Sequence, residues 1–239
     1  MRNNFYKNKN HDPRINYRGK TASRIDNLTD AVFGIAITLL IFNLVNPNSF
    51  EDLLIFTKTL PAFLISITFI MLIWNEHIRF SEIYSLNDNI LVVLNTLFIA
   101  LVIFYVYPLK FMTLFLTNFF FNTNINVEIN GDQVPSLVIY YGFVVFALYF
   151  VLWLFYGRII QLKEKLELND YEIFLTHEQR KRLIIFFIVP IISIITTFII
   201  NQYSFVLASI IGGCIYMLYT PLIMIWSKNF KVKSKTYSK

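Results

Sequence analysis

Six long apolar segments alternate with shorter polar stretches along this chain of 239 residues. Each has nearly the length of apolar sequence, roughly 20 residues, that an α-helix needs to cross the hydrocarbon core of a bilayer. The segments cover residues 27–45, 52–74, 89–112, 134–157, 183–200 and 203–227. The pattern predicts an all-α polytopic membrane protein with six transmembrane helices.

The distribution of basic residues predicts the orientation of these helices. The connections 46–51, 113–133 and 201–202 contain no Lys or Arg, whereas both ends of the chain and the other two connections are basic. Basic residues are retained on the cytoplasmic side of a membrane, so this alternation places the N- and C-termini in the cytoplasm. The chain then divides into a basic N-terminal tail (1–23), a six-helix transmembrane domain (24–227) and a basic C-terminal tail (228–239).

Composition supports a cell-membrane protein. The chain is 56% hydrophobic, and its 21 basic and 15 acidic residues lie between the apolar segments rather than along one stripe. This arrangement favours membrane lipid as a partner and gives no indication of nucleic-acid binding. The single cysteine, Cys214, excludes an intrachain disulfide, and its apolar surroundings predict a small core residue.

Three details of the connections can be predicted. The charges of residues 163–167 have helical spacing, so the fourth helix is expected to continue into water. Thr176 and Gln179 have the spacing of a capping box that would begin the fifth helix. The third segment meets Pro108 and then a Phe-rich stretch, which is consistent either with one kinked helix or with a helix followed by an interfacial piece.

The first segment is the shortest and the most polar. From Ala31 to Val45 it has 15 uncharged residues, or about 22 Å of helix against a hydrocarbon core of roughly 30 Å. Such a helix suits a protein-lined centre better than a position against lipid. One stripe, within about 60° of the Ile35 direction, contains Ala31, Ile35, Thr38, Leu39 and Phe42. The stripe fits either packing against other helices of the chain or a ring of copies around a narrow hydrophobic pore.

Arg24 and Asp30 flank the start of this helix. An acid at the edge of a membrane is costly unless it is paired, and Asp30 points roughly 140° away from the stripe. We therefore expect Asp30 to pair with Arg24, or with Asn75 or His77 of the second helix. Arg24 is alternatively an ordinary basic anchor on the cytoplasmic side.

Two motifs resemble a known family. Arg24-Ile-Asp-Asn-Leu-Thr-Asp30, followed by Ile35-Ala-Ile-Thr-Leu-Leu40, is similar to the Arg-x-x-x-Phe-Ser-Asp signature of the endosomal and lysosomal potassium channels. Trp74-Asn-Glu-His77 resembles the Trp-x-x-His motif of the same family. These channels lack a P-loop filter, and their bacterial members are six-span chains that form tetramers.

The resemblance implies a homotetramer in which four first helices surround a central pathway. It implies that Ile35 forms the narrowest ring, that Leu39 and Phe42 line the pathway above it, and that Thr38 supplies a layer of hydroxyl groups. It also implies a structural polar network around the first helix, which we expect to include Arg24, Thr29, Asp30, Trp74, Asn75 and His77. The sequence departs from the family pattern at Leu28, Thr29 and Phe42, where Phe, Ser and an aliphatic residue are usual.

The function predicted from these features is a potassium-permeable cation channel with a hydrophobic constriction. A poorly selective cation or proton leak is an alternative, because the stripe carries no acidic ring that would favour one cation. A secondary transporter fits less well, because the apolar segments have no carboxylate near their middle. An enzyme is not expected, since His11, His77 and His177 lie in separate regions without metal-ligand or catalytic spacing. No cofactor is predicted; K⁺, with other monovalent cations, is the expected permeant species.

Overall fold

A computed structural model describes residues 12–19, 23–42, 47–85, 88–122 and 129–237. The described residues form eight α-helices: α1 (Arg24–Phe42), α2 (Phe50–Lys58), α3 (Leu60–Tyr84), α4 (Asn89–Phe121), α5 (Val134–Gln161), α6 (Asp170–Ile200), α7 (Phe205–Cys214) and α8 (Tyr219–Ser234). Six stretches are long and apolar enough to cross a membrane, with α7 and α8 together forming the last one. The six-span all-α prediction is confirmed. The predicted end of the first segment, Val45, and the tail residues 1–11 lie outside the described residues.

The second apolar segment is two helices rather than one. The helix is interrupted between α2 and α3 at Thr59, whose hydroxyl donates to the carbonyl oxygen of Phe56 at 2.7 Å. Pro61 lies in the first turn of α3, where its missing N–H would have no helical partner in any case. Lys58 therefore ends a short helix instead of lying inside a membrane span.

Helix α3 extends ten residues past its predicted end at 74 and reaches Tyr84. Glu76, His77, Arg79 and Glu82, expected in a loop, lie on this helix. The extension is stabilised by other helices, because Glu76 accepts a hydrogen bond from the guanidinium of Arg182 on α6. Sequence pattern alone cannot anticipate such a distant partner.

Helix α4 is a single helix of 33 residues that continues through Pro108. Near this proline, the hydroxyl of Tyr141 on α5 donates to the carbonyl oxygen of Pro108. The helix ends at Asn122, whose left-handed backbone (φ 49°) is tolerated by asparagine better than by most residues. The Phe-rich stretch after Pro108 is therefore part of the helix and not a separate interfacial piece.

The connection between α5 and α6 differs from its prediction. Helix α5 ends at Gln161 and is followed by turns, so it does not continue through 163–167. Helix α6 begins at Asp170, where Asn169 and Glu172 form the capping box. Thr176, predicted as the N-cap, is buried inside α6, and its hydroxyl lies 2.7 Å from that of Tyr84. The hydroxyl of Thr176 therefore serves a tertiary contact between α3 and α6 and does not cap a helix.

The last span is interrupted by a short 3₁₀ turn, Ile215–Leu218, between α7 and α8. Cys214, expected in the core, lies exposed at the end of α7. The turn positions Tyr219, whose hydroxyl donates to the carbonyl oxygen of Phe186 at 2.8 Å. Pro190 has no N–H to donate to that carbonyl four residues earlier, so the tyrosine replaces a missing helical hydrogen bond.

The core runs between α3, α4 and α5. Aromatic rings dominate it, with Phe80 packed against Phe155 and Tyr156 at centroid distances of 5.1 Å each. Helix α1 packs against α3 and α4 only at one face, and α5 packs between α4 and α6. Helices α5 and α6 thus lie on the side of the bundle away from α1.

Residues 12–19 precede α1 and form a strap across the end of the bundle where α3 ends and α6 begins. The backbone N–H groups of Arg18 and Gly19 donate to the carbonyl oxygens of Ile83 and Glu82 at 3.1 and 3.0 Å. The guanidinium of Arg18 makes two hydrogen bonds, at 2.9 and 3.1 Å, to the buried carboxylate of Glu172. The strap therefore joins the end of α3 to the start of α6.

An ion pair within the strap connects it to the C-terminal helix. Asp12 accepts from the guanidinium of Arg14 at 2.7 Å, and this contact holds the pKa of Asp12 below its ordinary value. The same guanidinium donates to the carbonyl oxygen of Ser234 at 3.1 Å. The first and last described segments of the chain consequently lie on the same side of the bundle, as an even number of spans requires.

Candidate functional site

Helix α1 has one buried and one exposed face. Val32, Phe33, Ala36 and Leu40 are buried against the neighbouring helices. The opposite face carries Ile35 and Phe42, which are 53% and 70% exposed in the single chain, together with Ala31, Gly34 and Thr38. Leu39 lies at the boundary, because it is partly buried and packs against the core.

The exposed face is apolar except for one hydroxyl group. The hydroxyl of Thr38 donates to the carbonyl oxygen of Gly34 on the preceding turn at 2.8 Å. Because its proton is used within the helix, the Thr38 oxygen is left with lone pairs that can accept from water or contact a cation. Gly34 is open, with no atom within 4 Å of the position that a Cβ would take.

A chain of buried hydrogen bonds holds the other face of α1. The Nδ2 group of Asn95 on α4 donates to the hydroxyl oxygen of Thr29 at 2.8 Å, and Thr29 donates to the carbonyl oxygen of Ile25 at 2.9 Å. His77 Nε2 lies 2.8 Å from Asn95 Oδ1, so it acts as the donor there. Thr29, His77 and Asn95 are each 1% exposed or less.

His77 is further fixed by aromatic packing. Its ring stacks on that of Phe98 at a centroid distance of 5.3 Å and meets the Phe155 ring at 6.2 Å. The Nε2–H donor, the planar stack and the deep burial together determine the orientation of the imidazole. The histidine therefore has a structural position in the core, on the buried side of α1.

Asp30 does not pair with Arg24, Asn75 or His77, the partners considered from sequence. Its Oδ1 accepts a hydrogen bond from the indole Nε1 of Trp74 at 2.9 Å. Arg24 and Asn75 are exposed and form no hydrogen bond or ion pair with another described residue of the chain. The residues expected in one network thus form two separate contacts, Asp30 with Trp74 and Thr29 with His77 through Asn95.

Two residues of this site were not singled out from the sequence. Asn95 on α4 bonds to His77 on α3 and to Thr29 on α1, and so joins three helices. Its signal in the sequence was a polar amide inside an apolar segment, which indicates a buried polar contact. Asp26 accepts from the hydroxyl of Ser81 on α3 and from the N–H of Ser23 at 2.8 Å. The Ser23-x-x-Asp26 spacing is that of a capping box, and it was the available signal.

The site offers no ligands for a metal ion. Within the parts of the chain that the structure describes, no three His, Cys, Asp or Glu side chains come together to hold one. The exposed face of α1 instead presents hydrocarbon and one hydroxyl layer. Such a surface can narrow a water-filled passage but cannot bind a metal tightly.

Comparisons with known proteins agree with this architecture. The family model described as "Endosomal/lysosomal potassium channel TMEM175" matches residues 24–105, which include both motifs. A protein named "Potassium channel" from Marivirga tractuosa is 33% identical over 232 residues, covering 94% of each chain. The crystal structure of a variant of the potassium channel MtTMEM175, in complex with a nanobody–MBP fusion protein, matches with a TM-score of 0.81 at 32% identity, covering 94% of this chain and 99% of that one. The chain is a multi-pass integral membrane protein that belongs to the TMEM175 family of endosomal/lysosomal potassium channels.

Proposed function

We propose that this protein forms a homotetrameric, potassium-permeable channel in the cell membrane, with α1 of each subunit lining a central pathway. The relatives are named as potassium channels, and their similarity spans 94% of this chain. The observation that supports the pathway is the exposed apolar face of α1. In this proposal K⁺ is the permeant species, both termini are cytoplasmic, and neither a cofactor nor a catalytic step is involved.

The polar start of α1 favours an axial position over a lipid-facing one. Its 19 residues make about 28 Å of helix at ~1.5 Å per residue, and its first turns are polar. A lipid-facing helix would expose Asn27 and Asp30 near hydrocarbon, where they are costly. Copies of α1 around an axis would instead surround these first turns with protein groups and water, and Asp30 would keep its hydrogen bond with Trp74 on the side away from the axis.

On this arrangement Ile35 forms the constriction. Its side chain is exposed one turn below Thr38, and a ring of four such side chains would exclude water unless the pathway widens. The Thr38 oxygens form the one polar layer next to this ring, so they are the groups that contact a partly dehydrated cation. Phe42 lies beyond them toward the other end of α1, and Leu39 contributes less because it is partly buried.

The first experiment measures K⁺ and Na⁺ flux into liposomes that contain the purified protein. We expect Ile35→Asn to raise Na⁺ permeation relative to K⁺, because an amide hydrates the constriction. Ile195→Asn on α6 is the matched control, since Ile195 is also 53% exposed but lies on a helix away from α1. An unchanged permeability ratio in the Ile35 variant would contradict the assigned constriction.

The hydroxyl layer can be tested in the same way. Thr38→Val removes the oxygen and is expected to lower K⁺ selectivity, while Thr38→Ser retains it. Thr68→Val is the control, because the hydroxyl of Thr68 makes the same contact with its own helix, to the carbonyl oxygen of Leu64 at 2.8 Å. Equal selectivity in Thr38→Val and wild type would exclude a role for this layer.

The axial position of α1 has a test that does not use flux. Cys214 is the only cysteine in the sequence, so Ile35→Cys in a Cys214→Ser background gives one defined thiol per subunit. Oxidation is expected to cross-link subunits, and Ile195→Cys in the same background is expected to remain uncross-linked. A chain that stays monomeric under oxidation would refute the tetrameric pathway.

A further inference from the structure

The outer face of α5 and α6 carries an arginine that has no acidic partner among the residues that the structure describes. Of the seven arginines in the described residues, four form ion pairs, namely Arg14, Arg18, Arg158 and Arg182. Arg24 and Arg79 are unpaired but exposed to solvent. Arg180 is unpaired and half-buried, which is an unfavourable position for a cation unless another group compensates its charge.

Arg180 is held in place by an aromatic platform. Its Cζ lies 3.9 Å from the centre of the Trp153 ring, and Trp153 is itself packed against Phe150 and Phe187 at 5.7 and 5.9 Å. Stacking fixes the plane of the guanidinium and leaves its edge available for hydrogen bonds. The platform therefore orients the arginine without neutralising it.

Donors at this site outnumber acceptors. The Nε of Arg180 and the indole Nε1 of Trp153 are buried and have no hydrogen-bond acceptor among the described residues. Gly157 lies beside the guanidinium, and a Cβ at that position would be 3.4 Å from the Nη2 atom. That distance is ordinary van der Waals contact, so the glycine leaves room beside the guanidinium. The excess of donors calls for an anionic ligand.

The site lies at the level of the lipid headgroups. Charged residues of α6 end at Arg182, and the helix is uncharged from Leu183 to Ile200. Arg180 therefore lies where the bundle leaves the hydrocarbon region, and a tryptophan beside it is typical of this boundary. The α5–α6 face is away from α1, so in the proposed tetramer it faces lipid; this last step depends on the proposed function.

We propose that Arg180, supported by Trp153 and Gly157, binds the phosphate group of a membrane phospholipid, with preference for an anionic headgroup. The planar guanidinium can donate two parallel hydrogen bonds to phosphate oxygens. The phosphate compensates the charge of the guanidinium and anchors the α5–α6 face at a fixed depth. A second function of this protein is thus specific recognition of lipid from one leaflet.

Native mass spectrometry of the detergent-purified protein tests this proposal with phosphatidylglycerol as the probe and phosphatidylcholine as the comparison lipid. We expect Arg180→Gln to reduce bound phosphatidylglycerol about fivefold, the effect typical of one basic group at an anionic surface. Lys181→Gln is the matched control: it removes the same charge from the neighbouring residue, but Lys181 is 2.9 Å from the carboxylate of Glu178 and already paired. Equal lipid retention in wild type and Arg180→Gln, or equal losses in the two variants, would overturn the site.

Two further measurements separate the alternatives. Trp153→Leu keeps the arginine but removes its platform, so lipid retention should fall even if Arg180→Gln fails to assemble; wild-type retention in this variant would refute the proposal. Excess inorganic phosphate should not displace the lipid, because the site recognises the phosphate of an embedded molecule. Displacement of the lipid by this excess would show a site for soluble anions instead and overturn the lipid assignment. None of these measurements uses ion flux, so they remain decisive if the proposed pore is wrong.

Discussion

Tyr219 replaces a backbone donor that Pro190 removes from α6. The tyrosine hydroxyl is 2.8 Å from the carbonyl oxygen of Phe186, the group to which an N–H at position 190 would otherwise donate. Tyr219→Phe keeps the ring and its 5.4 Å contact with the Phe186 ring but removes the donor. The variant therefore isolates one hydrogen bond between two membrane-spanning segments.

The expected cost follows from two known ranges. An unsatisfied buried carbonyl costs roughly 1–3 kcal/mol in soluble proteins, whereas side-chain hydrogen bonds between membrane helices average about 0.6 kcal/mol and reach about 1.7 kcal/mol. The second range applies here, because the unfolded chain in detergent or lipid also satisfies its carbonyl groups. We expect Tyr219→Phe to lower the free energy of unfolding by about 0.6–1.7 kcal/mol.

The assay is reversible unfolding of the purified protein in mixed micelles, carried out as a double-mutant cycle with Pro190→Ala. Alanine restores an N–H that can donate to Phe186, so the tyrosine hydroxyl becomes dispensable in that background. The cost of Tyr219→Phe should fall close to zero there, and Tyr140→Phe, on a tyrosine that is 43% exposed, should cost little in either background. An identical cost of Tyr219→Phe with and without the proline would refute the reasoning.

Three further predictions concern polar and close contacts of α1 and the strap. Asn95→Leu removes both buried hydrogen bonds of that amide. It should destabilise the protein by about 1–3 kcal/mol in the same unfolding assay, roughly twice the range for one hydrogen bond between membrane helices; an unchanged midpoint would contradict its bridging role. Arg18→Gln leaves the fully buried carboxylate of Glu172 unpaired and should cost roughly 2–3 kcal/mol, much of which Glu172→Gln should restore in the double variant. Gly19→Ala would place a Cβ 2.1 Å from the carbonyl oxygen of Ser81, so limited proteolysis should cleave the strap faster than in wild type, and equal cleavage would argue against close packing.

The number and type of membrane spans could be predicted from the sequence, because hydrophobic length and charge placement act locally. Helix ends could not. Helix α6 begins 13 residues before the apolar segment that starts at 183, and before Thr176, which was predicted as its N-cap. The polar residues of its first turns are satisfied by distant groups such as Arg18 and Tyr84. A hydropathy pattern ends a span at the first charges, whereas the folded chain continues the helix wherever those charges find partners.

Part of the candidate site could likewise be predicted from the sequence, and part of it could not. The stripe of α1 could be predicted from periodicity, and the structure leaves Ile35, Thr38 and Phe42 exposed. The partner of Asp30 was not predictable, since Trp74 lies 44 positions along the chain. Asn95 was missed because a lone amide carries no motif, although an amide within an apolar membrane segment ordinarily faces the interior of the bundle and finds a hydrogen-bond partner there.

The placement of these polar contacts explains how so short a helix presents a defined face. Apolar packing alone tolerates rotation of a helix about its axis, and a shift of one residue turns the face by about 100°. Directional hydrogen bonds do not tolerate such a rotation of the helix. Thr29 is fixed to Asn95, and Asp30 is fixed to Trp74 on a different helix, so the two bonds restrain the same turn from two directions.

The restraint lies in the first two turns of α1, whereas the exposed apolar positions lie in the later ones. Beyond Asp30, the buried side of the helix contacts its neighbours through residues such as Phe33, Ala36 and Leu40. The polar turns therefore set the rotation, and the rigid helix transmits it to Ile35 and beyond. In the proposed channel this division keeps the carboxylate and amide groups of the clamp away from the proposed constriction, where they would hydrate a surface that has to stay dry.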